Sequence, residues 1–279
     1  AFCIDVRSEV IRRALETQAP GIETIGFAGF FGLPLRHRPF ASVETQAHLP
    51  VLLTPALDTA ADAAPETEEA ARISARAIRA WGRFRQAAVS SFAFVEAAGL
   101  LYGAKLVKSA LGLDRGGPAT EPAPRIESGM SAEEKAATAA AVLRAMSLTE
   151  GHARLVLLLG HGAHVTNNPH ESAYHCGACG GQTGEVSARV LAMLLNDPQT
   201  RAGLAGQGIA LPEDTVFVAG RHDTTTDRVT LYAEEVPASH AGDLAQAEGW
   251  LAAAGVIART ERALRLPGAS ARNLPARAR

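Results

Sequence analysis

Cysteine is scarce in this chain: Cys3, Cys176 and Cys179 are the three in 279 residues. That is too few for a disulfide framework. It fits a reducing compartment, where cysteine more often binds metal or does chemistry. An excess of basic charge is missing as well. The net charge is −2, so there is no electrostatic footprint for nucleic acid. Long apolar runs are also absent, and no uncharged stretch reaches the roughly 18 residues a membrane-spanning helix needs. The nearest approach, Ser90 to Val107, contains Glu96 and Lys105 and reads as a buried or partner-facing helix. No basic and apolar leader precedes the first motif. The chain starts Ala1-Phe2-Cys3, without Met and inside what reads as a strand, so a fragment of a longer protein is expected. No internal repeat is visible.

What is present is an ordinary globular balance, with 47% hydrophobic and 20% charged residues. The length suits one large domain or two small ones. Phe2 to Val6 alternates and reads as a strand, with Ser8 capping a helix to about Gln18. Glu23 to Phe31 reads as a second strand, with Gly26, Gly29 and Gly32 allowing close backbone approach. The Ala-rich stretch from 61 to 113 reads as two helices, near 66–89 and 92–111. Residues 115–129, rich in Gly and Pro, read as a linker. Ser131 and Glu134 form a capping box for a helix to about Ser147. Leu155 to Leu159 is wholly apolar, as a central strand covered on both faces would be. Glu185 to Leu195 reads as a helix stopped near Pro198. Thr215 to Ala219 is a second buried strand, leading to His222 and Asp223, and helix returns at about 241–254.

Strands alternating with helices predict an α/β fold with a mostly parallel sheet flanked by helices. One domain is expected over 1–279, with an Ala-rich helical insertion at 61–150. Sites in such folds form at the carboxyl ends of strands. The unusual polar residues fall there, after 2–6, after 155–159 and after 215–219.

Cys3, Asp5 and Arg7 share one face if their segment is extended. A thiolate, a carboxylate and a guanidinium there are costly to bury unless they bind something. The plain alternative is a packed Cys beside an Asp–Arg ion pair that caps the next helix. His161 sits between two glycines after a buried strand, and it could equally serve only to bond a loop. His164, His170 and His175 read as loop polar groups. The Cys176-x-x-Cys179 pair could be half of a zinc knuckle, although no second pair exists. It could be a redox pair, or a ligand beside a packed neighbour. Taken together the residues are more specific. Cys3, His161 and Cys176 supply two sulfurs and a nitrogen for a tetrahedral zinc, and Asp5 can close the fourth position.

Cys-x-Asp-x-Arg at 3–7, with a distant His and Cys, resembles the zinc motif of β-carbonic anhydrases. The longer strings are closer to the DabA family, large subunits of bacterial inorganic-carbon accumulation complexes. They are residues 2–9, Gly160-His161-Gly162, Asn167 to Ala173 and Cys176 to Gly181. The resemblance implies a β-carbonic anhydrase-like fold and a Zn2+ held by Cys3, Asp5, His161 and Cys176. It implies that Arg7 draws Asp5 off the metal, making Asp5 and Arg7 the catalytic pair. It implies hydration of CO2 to bicarbonate, in a zinc lyase active only with a DabB-like, cation-translocating membrane subunit. The location implied is peripheral, at the cytoplasmic face of the inner membrane. Cys179 then packs or supports the ligands, and Asn167, Asn168, His170 and Glu171 orient ligands or line a pocket. Two other readings stay open: a non-catalytic zinc-stabilised scaffold, and a thiol oxidoreductase using Cys176 and Cys179.

Overall fold

The apolar run at 155–159 forms the centre of a sheet because neither of its faces tolerates water. The computed structural model describes residues 1–87, 91–111, 121–165 and 168–267. In chain order the elements are β1 (Phe2–Cys3), α1 (Val6–Glu16), β2 (Gly26–Phe27), β3 (Leu35–Arg38), β4 (Gln46–His48), β5 (Leu57–Ala61), α2 (Pro65–Gln86) and α3 (Ser91–Ala110). They continue with β6 (Pro124–Ile126), α4 (Ala132–Ala145), β7 (Leu155–Gly162), α5 (Glu185–Asn196), α6 (Pro198–Gly206), β8 (Val216–Asp223), β9 (Arg228–Tyr232) and α7 (Ala241–Ala263).

The main sheet has the order β2-β1-β7-β8-β9. Its pairs are parallel except β8 with β9, which are antiparallel. The expected α/β architecture is therefore present. Alternation along β7 sends neighbouring side chains to opposite faces. Leu158 packs with Leu143, Leu191, Leu195 and Phe217, in a core built from α4, α5 and α6. Leu159 packs with Phe2, Ile11, Leu15 and Leu251, in a core built from α1 and α7. Each fully buried Leu or Phe contributes about 1.5–3 kcal/mol, so the two layers fix the sheet between them. On the α5 side the approach is close. A Cβ on Gly160 would lie 2.3 Å from the backbone of Gly184, so only glycine lets the start of α5 abut β7.

Several sequence expectations are corrected. The first strand stops at Cys3, because Asp5 caps a helix that begins at Val6. The second strand shrinks to Gly26–Phe27. A further sheet, β4-β3-β5-β6, has no counterpart among the expected elements, and β6 lies in the expected linker; residues 115–120 of that linker lie outside the described residues. The strands of this sheet have three to five residues, too few for a visible alternation. Pro198 follows the end of α5 as expected, but it also opens α6, which Asp197 caps. The last helix runs on to Ala263. The capping box at Ser131 and Glu134 forms as expected.

The described chain divides into two compact units: Ala1–His37 with Gln46–Ala60 and Pro124 onward, and Arg38–Thr45 with Ala61–Ala123. The second unit holds α2 and α3. Within it Trp81 donates to the Tyr102 hydroxyl at 3.1 Å, and Arg38 pairs with the buried Glu68 at 3.2 Å. Among the described residues no helix is long and apolar enough to cross a membrane.

Candidate metal centre

The site lies in the first unit, at the carboxyl edge of the parallel strands. Strand β1 ends on Cys3 beside β7. His161 follows Leu157 and Leu159 along β7, so alternation places it on the α1 and α7 face. The expectation set His161 after the strand; it lies inside it. Cys176 comes from the following loop, which folds back as a tight knuckle. Its backbone pairs with Gln182, and its carbonyl accepts from the N–H groups of Cys179 and Gly181, both at 3.0 Å. Gly180 and Gly181, at φ of 66° and 83°, make that turn possible.

The three ligand atoms of Cys3, His161 and Cys176 lie within 4.8 Å of one another, and all three residues are buried. The Cys3 Sγ is 2.9 Å from His161 Nδ1 and 3.8 Å from Cys176 Sγ. His161 Nε2 is buried without a hydrogen bond, although Asp5 Oδ2 stands 3.4 Å away. A Cβ on Gly29 would meet Cys176 Sγ at 2.3 Å and Cys3 Sγ at 2.5 Å, so the cradle is kept open by a missing side chain.

Electrostatics inside the cluster are unbalanced. Hydrogen bonds from the Cys179 and Cys3 thiols pull Cys176 down to about 3, with His161 assisting and burial opposing. Cys3 is pushed up, first by its hydrogen bond to Cys176 and then by burial, and Cys179 is pushed up for the same two reasons. One thiolate is thus held by two thiols. A second thiolate 3.8 Å away would be repelled. A bound dication would remove that repulsion and let both Cys3 and Cys176 ionise, as in metal thiolates. The unpartnered His161 nitrogen, the close sulfurs and the open cradle all fit such an ion.

Asp5 stands beside the cluster, turned toward Arg7. Its Oδ1 accepts from the Arg7 N–H at 2.9 Å and from Nε at 2.8 Å, and its Oδ2 accepts from Nη2 at 2.8 Å. The two-pronged bond holds Asp5 down at about 2 and raises Arg7. Cys3, Asp5 and Arg7 do not share a strand face, because Arg7 is already in α1. They meet through the helix cap instead, and Asp5 rather than Ser8 supplies it.

Other expected residues are placed apart from the sulfurs. Cys179 is fully buried and packs in one cluster with Cys3 and Cys176. Asn168 Oδ1 accepts from the His170 N–H in an exposed turn. Glu171 faces His175 at 3.6 Å, and His175 Nδ1 accepts from the Ala163 N–H at the end of β7. The His164 N–H donates to Asp223. Asn167 lies outside the described residues. Two groupings are made by tertiary structure alone. Buried His37 and His48 stack edge to face, 5.5 Å apart, and burial pushes His48 down to about 4. Ser8, His222 and Asp227 form a chain on the same face of the sheet as His161.

Fold and site together define an α/β protein with a buried Cys–His–Cys cluster that could hold a metal ion, set at the carboxyl edge of a mostly parallel sheet. The family model described as "Probable inorganic carbon transporter subunit DabA" matches residues 1–279, and the chain belongs to this family. A relative of that name from Rhodospirillum centenum is 60% identical over 100% of this chain and 35% of its own length. One from Methylobacterium sp. is 62% identical over 96% of this chain and 34% of its own. One from Xanthomonas euvesicatoria is 60% identical over 96% and 34%. The chain thus spans about a third of the length of the curated relatives it matches. No solved structure matches it.

Proposed function

We propose that this chain is the zinc-binding part of a DabA subunit, and that it hydrates CO2 to bicarbonate within a membrane-attached uptake complex. One observation carries the reading: a buried Cys3–His161–Cys176 cluster with Asp5 at its mouth, held away by Arg7. Two sulfurs and one nitrogen suit zinc better than the oxygen-preferring cations. When bound, zinc supplies a Lewis acid that brings a coordinated water to a pKa of about 7.

The chain's own residues set the state of the site. Asp5 is close enough to close the fourth position if its bond to Arg7 breaks. Arg7 keeps it out while the bidentate pair stands. The pair is thus the switch between a resting and an open site, and the β-carbonic anhydrase likeness is proposed for this chemistry. Ile4 and Val6 flank Asp5 and are 68% and 86% exposed. Apolar side chains exposed beside a gate suit a partner that covers them. A DabB-like, cation-translocating membrane subunit is the proposed partner, with this chain peripheral at the cytoplasmic face of the inner membrane. A thiol oxidoreductase is less well supported, because Cys176 and Cys179 are 1% and 0% exposed and offer no thiol to a protein disulfide.

The test is metal content with X-ray absorption at the zinc edge. One zinc with two sulfur and two light-atom neighbours, lost in Cys3→Ala, supports the site. Arg7→Ala should keep its zinc and lose CO2 hydration in the assembled complex. Full activity in that variant refutes the gate and leaves the scaffold reading.

A further inference from the structure

The first turn of α1 carries the whole gate, yet it is short of anchors. Asp5 and Arg7 bond each other, and Ile4 and Val6 face solvent. The exception is Ser8, 2% exposed, whose Oγ lies 2.9 Å from His222 Nδ1. His222 is fully buried on β8, and its Nε2 lies 3.3 Å from Asp227 Oδ1. Arg262 reaches down from α7 to the same oxygen at 2.8 Å and to the Thr224 carbonyl at 2.6 Å. The carboxylate paired with Arg262 can only accept. His222 Nε2 therefore carries a proton, and in the neutral ring Nδ1 accepts from the Ser8 hydroxyl. The bonds from Ser8 through His222 and from Arg262 converge on the Asp227 carboxylate. They join the far end of α7, through β8, to the turn that holds Asp5.

His222 is also placed where it matters. In the register of β7 and β8 it is paired with His161. One strand presents a candidate ligand, and at the same level its neighbour presents the anchor of the gate.

We infer that His222 is a positioning residue: through Ser8 it fixes the first turn of α1, so that Asp5 and Arg7 stand at the mouth of the Cys3–His161–Cys176 cluster. The inference deepens the proposed gate and rests on it for its meaning. In this arrangement the Asp5 side chain moves against a fixed backbone. Without the anchor the turn itself moves, and Arg7 no longer holds Asp5 in one place. Ser8 stands inside the first turn, while Asp5 caps it.

Hydrogen exchange on the metal-free chain is the direct test. Ser8→Ala should speed exchange of the Arg7, Ser8 and Glu9 amides by about tenfold or more, with β7 and α5 amides unchanged. His222→Ala should do the same. His222→Asn, whose Oδ1 can accept from Ser8 at the Nδ1 position, should restore wild-type exchange, and His222→Gln, whose amide reaches the Nε2 position instead, should not. The cobalt-loaded chain gives a second readout. Its visible spectrum, which follows coordination number, should change in Ser8→Ala at unchanged cobalt content and return in His222→Asn. Unchanged exchange at 7–9 in Ser8→Ala, equal acceleration across the whole sheet, or no difference between Asn and Gln would overturn the inference. A wild-type chain that takes up no cobalt would refute the proposed metal site alone, because the exchange experiment still decides the anchor.

Discussion

His161 and His222 stand opposite each other on adjacent strands, both buried on the same face of the sheet, in contrasting company. His222 has a partner on each ring nitrogen, a hydroxyl on one side and a carboxylate on the other. His161 has a sulfur on one nitrogen and no hydrogen bond on the other. A buried polar group left unmade costs about 1–3 kcal/mol, and folded proteins rarely tolerate it without reason. The satisfied histidine is therefore read as architecture. His161, beside two buried sulfurs, is read as one of the group that could hold a metal ion.

That contrast can be broken from either side. The largest effect is expected on the unsatisfied side. His161→Ala or Cys176→Ala should weaken zinc by more than about 100-fold in chelator competition, because a tetrahedral site loses a ligand. The same variants should leave the urea midpoint of the metal-free chain nearly unchanged. On the satisfied side the pattern inverts. His222→Ala leaves Asp227 buried with Arg262 as its remaining charged partner, and should cost about 2 kcal/mol in urea unfolding while zinc still binds one to one. Gly29→Ala sharpens the comparison. Its Cβ falls between the two sulfurs, so zinc affinity should drop about tenfold or more with the helical circular dichroism intact. Cys179→Ser is the mildest. It removes a neighbour of Cys176 and no ligand, so zinc content should stay at one and affinity should change by about threefold at most. A larger loss there would make Cys179 a ligand and restore the zinc-knuckle reading.

Much of this is legible in the amino-acid sequence. Cys3 and Cys176 stand out because sulfur is rare in the chain, and His161 because it sits between two glycines at the end of an apolar run. Gly29 carries the mark of a close approach, and the Ser131–Glu134 box announces its helix through local bonds alone. What stays hidden is what only tertiary structure decides. Ser8 and Asp5 both have the chemistry of a helix cap; Asp5 caps the helix that begins at Val6, and Ser8 bonds His222, 214 residues away. The second sheet is built from strands too short to alternate. Pro198 can end one helix or begin the next, and nothing local says it does both.

The sulfurs that meet at this site are made far apart in time. Cys3 precedes His161 by 158 residues and Cys176 by 173. At ribosomal rates of 5–20 residues per second, roughly 9–35 s pass before the last ligand exists. Until then Cys3 is a single thiol, too weak to hold an ion against cellular competitors. The Cys3–His161–Cys176 group could hold a metal ion only once Cys176 has been made.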